Sequence, residues 1–275
     1  MAPGSDGAAA PGSAPLAGRT ALAVFAHPDD ESLACGGTLA RLADEGVRVV
    51  LLCASHGERG SSADPAVLRG PDLGRVRECE LRAAAKVLGI SEVILLDHPD
   101  GEIRWRNVEK LQDQIAQAIT DHAPDLVITF DEDGLYWHLD HIGVHERTAT
   151  AVTAFGPAAP PLYYVTVPHG VMREVTNAAV ANGWVPPGST MFGITPDAFG
   201  LAAEPYDLTV NVGRWVPRKL QALQCHRTQM GPGNPFARLD AAQAMRWLAI
   251  ERFRREPINT CESLLDRIAE PALHA

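Results

Sequence analysis

The stretch Leu22-Ala23-Val24-Phe25-Ala26-His27-Pro28-Asp29-Asp30-Glu31 constrains this chain most tightly, because an apolar run stops abruptly at a histidine and three consecutive acids. The run is too short for a helix and a proline ends it, so it reads as a buried strand. Adjacent carboxylates at the end of such a strand repel one another and lose hydration, and they call for raised pKa values or a cation. His27 and Asp30 offer an imidazole and a carboxylate three residues apart, in a loop stiffened by Pro28, and can converge on one ion. Asp29 is left free. A plain helix start explains one or two of the acids as capping groups, but it does not call for His27.

A second cluster, Asp131-Glu132-Asp133-Gly134-Leu135-Tyr136-Trp137-His138-Leu139-Asp140-His141, follows another apolar run, Leu126 to Phe130. Two buried strands thus each deliver His and Asp side chains from their C-terminal ends, the edge at which open α/β sheets bind ligands. The phenol and indole among these acids point to a lined pocket. The expected fold is α/β, a Rossmann-like, mostly parallel sheet flanked by helices, with a metal site at the C-terminal ends of the strands.

The motif Ala26-His27-Pro28-Asp29-Asp30-Glu31 with the distant His138-x-Asp140-His141 resembles the LmbE-like, or PIG-L, family of zinc-dependent de-N-acetylases, over roughly residues 20–229. The resemblance implies His27, Asp30 and His141 as zinc ligands and an N-acetylglucosaminyl small molecule as substrate. It also implies that Arg77 reaches the sugar and that Asp97 or Asp100 lies near the sugar hydroxyls. The same donors suit ferrous iron. Three protein ligands leave positions open for water and a carbonyl oxygen. Asp29, beside a ligand but not one itself, is placed as general base and later acid. His138 is expected as an imidazolium that stabilises an oxyanion or protonates the amine, held in one tautomer by Asp140, with Tyr136 adding a hydrogen bond. His145, at helical spacing from His141, is left a structural role. An amidase acting on a larger thiol conjugate uses the same chemistry, and a non-catalytic metal-dependent sugar-binding module is the alternative of another class.

A net charge of -10 argues against nucleic acid or an anionic membrane surface as partner. No apolar run reaches the length of a membrane span, and stable membrane association is not expected. Nothing in the pattern specifies an oligomeric state. The five scattered cysteines form no Cys-x-x-Cys pair, which fits a reduced, cytoplasmic compartment. Residues 1–18, rich in Ala, Gly, Pro and Ser, read as a disordered leader. Residues 19–275 are expected to form a single domain, with a core at 20–155 and lid, specificity and closing elements at 156–275.

In chain order the pattern predicts helices at 32–45, 72–88, 107–122 and 142–155, and the resemblance implies a closing helix at 219–229. Strands are expected at 47–54, 93–96, 162–167 and 207–212. Arg77 and Glu80 share a helix face, and their plain reading is a surface ion pair. His226 is expected to pack or hydrogen-bond rather than ligate. Trp105, Trp137 and Trp184 are candidates for stacking on a sugar or for the core. The segment after residue 229 is expected to carry an amphipathic helix and little chemistry.

Overall fold

The computed structural model describes residues 16–186, 188, 190–200, 205–259 and 261–271. Its strands are β1 (Thr20–Phe25), β2 (Arg48–Cys53), β3 (Glu92–Leu95), β4 (Leu126–Phe130), β5 (Leu162–Thr166), β6 (Leu208–Asn211), β7 (Ile250–Arg255) and β8 (Glu270–Pro271). Its helices are α1 (Asp30–Asp44), α2 (Pro71–Leu88), α3 (Val108–His122), α4 (Gly134–Trp137), α5 (Leu139–Thr153), α6 (Val171–Ala181), α7 (Val216–Cys225), α8 (Ala241–Leu248) and α9 (Leu264–Ile268).

The strands form one sheet in the order β3-β2-β1-β4-β5-β7-β6-β8. The first five in that order pair in parallel, and β7, β6 and β8 add antiparallel pairs. β1, β2 and β4 are near-continuous apolar runs because both faces of a parallel sheet are covered by helices. Here α1, α2 and α7 pack together, and α3 packs on α5. Strand order reverses between β1 and β4, the switch point at which a crevice opens above the carboxyl ends. The Phe25 and Phe130 rings, at those two ends, meet edge to face with centroids 4.9 Å apart.

Two expectations needed correction. Of the expected leader, residues 1–15 lie outside the described residues, but Leu16 is buried in the core and its N–H donates to the Glu45 carbonyl at 3.0 Å. The segment after residue 229 carries more than a helix. β7 inserts between β5 and β6, and its charged sequence hid it, because Glu251 is buried against Lys219 at 2.6 Å. Glu251 also accepts the N–H groups of Gly37 (3.0 Å) and Thr38 (2.7 Å), just past a break in α1 at Cys35. The carboxylate therefore caps the second half of that helix from a distant strand. Among the described residues, no helix is long and apolar enough to cross a membrane.

Candidate metal centre and active site

The end of β1 turns at Pro28 into α1, and this turn places His27 and Asp30 side by side. The His27 N–H donates to Asp30 Oδ2 at 2.8 Å, and that oxygen lies 3.4 Å from His27 Nδ1. His141, from the first turn of α5, brings Nε2 to 3.2 Å from Asp30 Oδ1 and 3.3 Å from His27 Nδ1. The 3.3 Å between the two ring nitrogens matches the edge, about 3.3 Å, of a tetrahedron drawn around an ion with bonds of about 2.0–2.1 Å, and Asp30 turns one carboxylate oxygen toward each nitrogen. All three residues are buried.

The far nitrogen of each ring is occupied. His141 Nδ1 lies 3.1 Å from the Gly134 carbonyl, which fixes the ring as a donor there and frees Nε2. Gly134 is at φ 57, and a Cβ on it would fall 2.9 Å from the Cβ of His141, so a side chain there would disturb the approach. Phe130 stacks on the His141 ring with centroids 4.0 Å apart. His27 Nε2 lies 3.1 Å from Asp140 Oδ2 and 3.2 Å from Asp100 Oδ1.

The electrostatics show how strongly this cluster demands positive charge. Burial opposes a charge on His27, yet hydrogen bonds to Asp100, Asp140 and Asp30 outweigh it and raise the imidazole well above its ordinary value. Burial likewise opposes ionisation of Asp30, but His141 and His27 hold its carboxyl well below the usual range. Two imidazoles and an ionised carboxylate at these distances fit a divalent cation. Two groupings, His27 with His138 and His141 and His27 with Asp100 and Asp140, bring potential ligand atoms within 4.8 Å of one another beside Asp30.

The centre lies on the wall of a cavity of about 730 Å³. Asp29, His138 and Tyr136 line it, together with Arg59, Ser61 and Ser62 on one side and Phe192, Met230 and Phe236 on another. Asp29 keeps 30% of its side chain exposed and sits at φ 119, in the left-handed region. Leu135 and Trp137 also have positive φ, so backbone strain gathers around the site.

A family model described as PIG-L, GlcNAc-PI de-N-acetylase, matches residues 22–152. The 1D-myo-inositol 2-acetamido-2-deoxy-alpha-D-glucopyranoside deacetylase of Nakamurella multipartita is 33% identical over 244 residues, covering 78% of this chain and 82% of its own. The chain belongs to the PIG-L family. The deacetylase of the same name from Acidothermus cellulolyticus is 30% identical, covering 86% of this chain and 88% of its own. The PIG-L fold is shared with N,N'-diacetylchitobiose deacetylase from Pyrococcus horikoshii, with a TM-score of 0.57, 21% identity, and coverage of 87% of this chain and 84% of that one. It is shared equally with 4-carboxy-2-hydroxymuconate hydratase from Pseudomonas putida, with a TM-score of 0.63, 20% identity, and coverage of 90% and 99%. At such identities the likeness concerns architecture, since one fold hosts several chemistries.

Within this PIG-L chain the structure corrects several expected contacts. Asp140 holds His138 through its backbone N–H and not through its carboxylate. Its carboxylate accepts from His27 and from the N–H groups of Gly101 (2.6 Å) and Ile103 (3.0 Å), while its own N–H donates to His138 Nδ1 at 3.3 Å. Burial and the neighbouring His141 and His27 push His138 down to about 3, so the expected imidazolium is a neutral ring at pH 7. With Nδ1 accepting, its proton sits on Nε2.

Asp97 does not line the cavity. It turns outward to His56 at 3.1 Å with its side chain 92% exposed, whereas Asp100 in the same turn points inward. Asp100 Oδ1 lies 3.2 Å from His27 Nε2, and its Oδ2 accepts the N–H of Arg59 at 2.7 Å. Burial opposes its charge, but those contacts hold it well below the usual carboxylate range. Arg77 forms no surface pair with Glu80, which accepts instead from the N–H and hydroxyl of Thr228 at 3.0 and 2.7 Å. Its guanidinium is buried against Pro28, Asp29 and Gly57. His145 is structural, 2.9 Å from the Phe130 carbonyl. Trp184 is in the core, whereas Trp105 and Trp137 are exposed.

Sequence reasoning gave no role to Glu31 beyond the helix start and none to Ser32. Both are fully buried, with Glu31 Oε1 2.9 Å from His226 Nε2. The signal available was Glu31 itself, a third acid that the metal did not need.

Proposed function

We propose that this chain hydrolyses the acetamide of an N-acetylglucosaminyl small molecule, releasing acetate and a free amine, with a divalent ion, zinc in our reading, held by His27, Asp30 and His141. The observation that carries this reading is the convergence of His27 Nδ1, His141 Nε2 and the two Asp30 carboxylate oxygens, with separations of 3.2–3.4 Å, beside an Asp29 carboxylate that lines a roomy cavity. The inositol-linked N-acetylglucosaminyl deacetylases among the relatives support the substrate class.

A cation in this position supplies Lewis acidity, polarising a carbonyl oxygen and lowering the pKa of a water. Asp29 performs the proton transfers. Burial lifts its carboxyl to about 6 against the opposing charge of Arg77, which suits a base working near neutral pH. It takes a proton from the attacking water and delivers one to the departing nitrogen. His138 presents a neutral Nε2–H to the developing oxyanion, a donor that costs no net charge in this crowded cluster. Tyr136, half-buried with its ring centroid 5.7 Å from that of His138, keeps its phenol proton because burial and nearby carboxylates raise its pKa well above the ordinary value. It serves as a second donor on the same wall.

The test is acetate release from N-acetylglucosaminyl-inositol, diacetylchitobiose and a bulky thiol conjugate. Acetate from the inositol glycoside supports the reading. Cleavage of the conjugate alone transfers it to the amidase class, and binding without turnover of any substrate refutes the enzyme.

A further inference from the structure

We infer that Asp29 is held in its working position by a two-sided clamp, Arg77 on one side and the Glu31–His226 pair on the other. This rests on the role just proposed for Asp29, and it makes Arg77 and His226 positioning residues for that carboxylate.

Asp29 needs holding. At φ 119 and ψ -24 it occupies backbone space that residues with a Cβ rarely adopt, and the surrounding structure must impose that conformation. On the first side, Arg77 Nη2 donates to the Pro28 carbonyl at 2.5 Å and lies 3.2 Å from Asp29 Oδ1. Arg77 Nη1 donates to the Gly57 carbonyl at 2.9 Å. One guanidinium therefore fixes the peptide that leads into Asp29, the carboxylate of Asp29, and the loop opposite.

Arg77 is not free to leave this position. Its side chain is 5% exposed. A Cβ on Gly57, itself at φ +62, would fall 2.2 Å from Nη1, and one on Gly60 would fall 2.9 Å from it. Those glycines leave just the room that the guanidinium fills. Arg77 also lines the cavity, with Nη2 engaged by Pro28 and Asp29, Nη1 by Gly57, and Nε buried without a hydrogen-bond partner among the described residues.

On the second side, the Asp29 N–H donates to Glu31 Oε2 at 3.1 Å. Glu31 is fully buried, and its other oxygen accepts from the Ser32 hydroxyl at 2.5 Å and faces His226 Nε2 at 2.9 Å. His226 comes from the end of α7, 195 residues away in sequence. The backbone of Asp29 is thereby tied to the closing helix of the fold, and its carboxylate to α2.

The experiment measures kcat, KM and metal content for Arg77→Lys and His226→Gln on whichever substrate the wild type deacetylates. A lysine cannot reproduce the forked contacts, and a misplacement of about 1 Å costs on the order of 100-fold in rate. The expected result is a fall in kcat of about 10- to 100-fold in both variants, with KM within about twofold and metal content unchanged. A raised KM with unchanged kcat would make Arg77 a substrate contact and overturn the clamp, as would unchanged kcat in both variants.

A thermal double-mutant cycle supplies a readout independent of turnover. Glycine accepts φ 119 without strain, so the melting-temperature loss on Arg77→Lys or His226→Gln should be smaller in an Asp29→Gly background than in the wild type. Equal losses in both backgrounds overturn the clamp. If the wild type releases no acetate, the proposed reaction fails, and the cycle still decides whether Asp29 is clamped.

Discussion

The Nε2 of His27 lies 3.1 Å from Oδ2 of Asp140, two side chains 113 residues apart in the chain. This contact fixes which nitrogen of His27 faces the centre. A ring that donates from Nε2 to a carboxylate presents Nδ1 as a lone pair, and Nδ1 is the atom beside Asp30 and His141. Asp140→Asn should therefore weaken metal affinity by about 10- to 100-fold, measured by competition with a chromophoric chelator. Unchanged affinity would show that the contact does not orient the ligand.

Asp29 is close to the donor atoms without being one of the three. Asp29→Asn should keep its metal and lose about 10²- to 10⁴-fold in kcat, the usual worth of a positioned base. Metal analysis alongside initial rates checks this, and near-full turnover with metal bound places the base elsewhere.

His138 is neutral at pH 7 and carries its proton on the nitrogen away from the Asp140 N–H. Removing that donor with His138→Ala should lower kcat by about 10²- to 10³-fold with little change in KM. His138→Gln, which retains an N–H, should recover part of the loss. Full activity in His138→Ala removes the residue from the reaction.

His226 makes stability depend on pH. Burial opposes its charge, but Glu31 outweighs burial and raises the imidazole above its ordinary value. A folded pKa above the unfolded value of about 6.5 gives stabilisation that is complete below that value and is lost as pH rises through the folded pKa. The advantage of wild type over His226→Gln in chemical denaturation should be largest below about pH 6.5 and shrink as pH increases. A gap that widens with rising pH contradicts this assignment.

The strands nearest the site were readable because each is a dense apolar run that ends in polar residues. The same punctuation exposed His27 and Asp30, just beyond the end of β1, and His141, in the polar cluster that follows β4. Contacts across the chain were not readable. Nothing local marks Asp140 as the partner of His27 or Glu31 as the partner of His226, since each pair forms only after the sheet brings distant loops together. Asp97 and Asp100 are equivalent in sequence terms, two acids in one turn, and the course of that turn past Gly101 at φ 78 decides which one faces inward. β7 was missed because a strand carrying Glu and three Arg looks solvated, whereas Glu251 is buried against Lys219 and Arg254 pairs with buried Asp131 at 2.5 Å.

The central claim is that a metal held by His27, Asp30 and His141 is required for amide hydrolysis. The most direct test follows acetate release from N-acetylglucosaminyl-inositol by the wild type and by Asp30→Ala, after chelation and again after adding zinc or ferrous iron. The account predicts that chelation abolishes wild-type release, that metal restores it, and that Asp30→Ala neither retains stoichiometric metal nor recovers activity. Undiminished release from chelated, metal-free protein, or full metal-restored activity in Asp30→Ala, would contradict it.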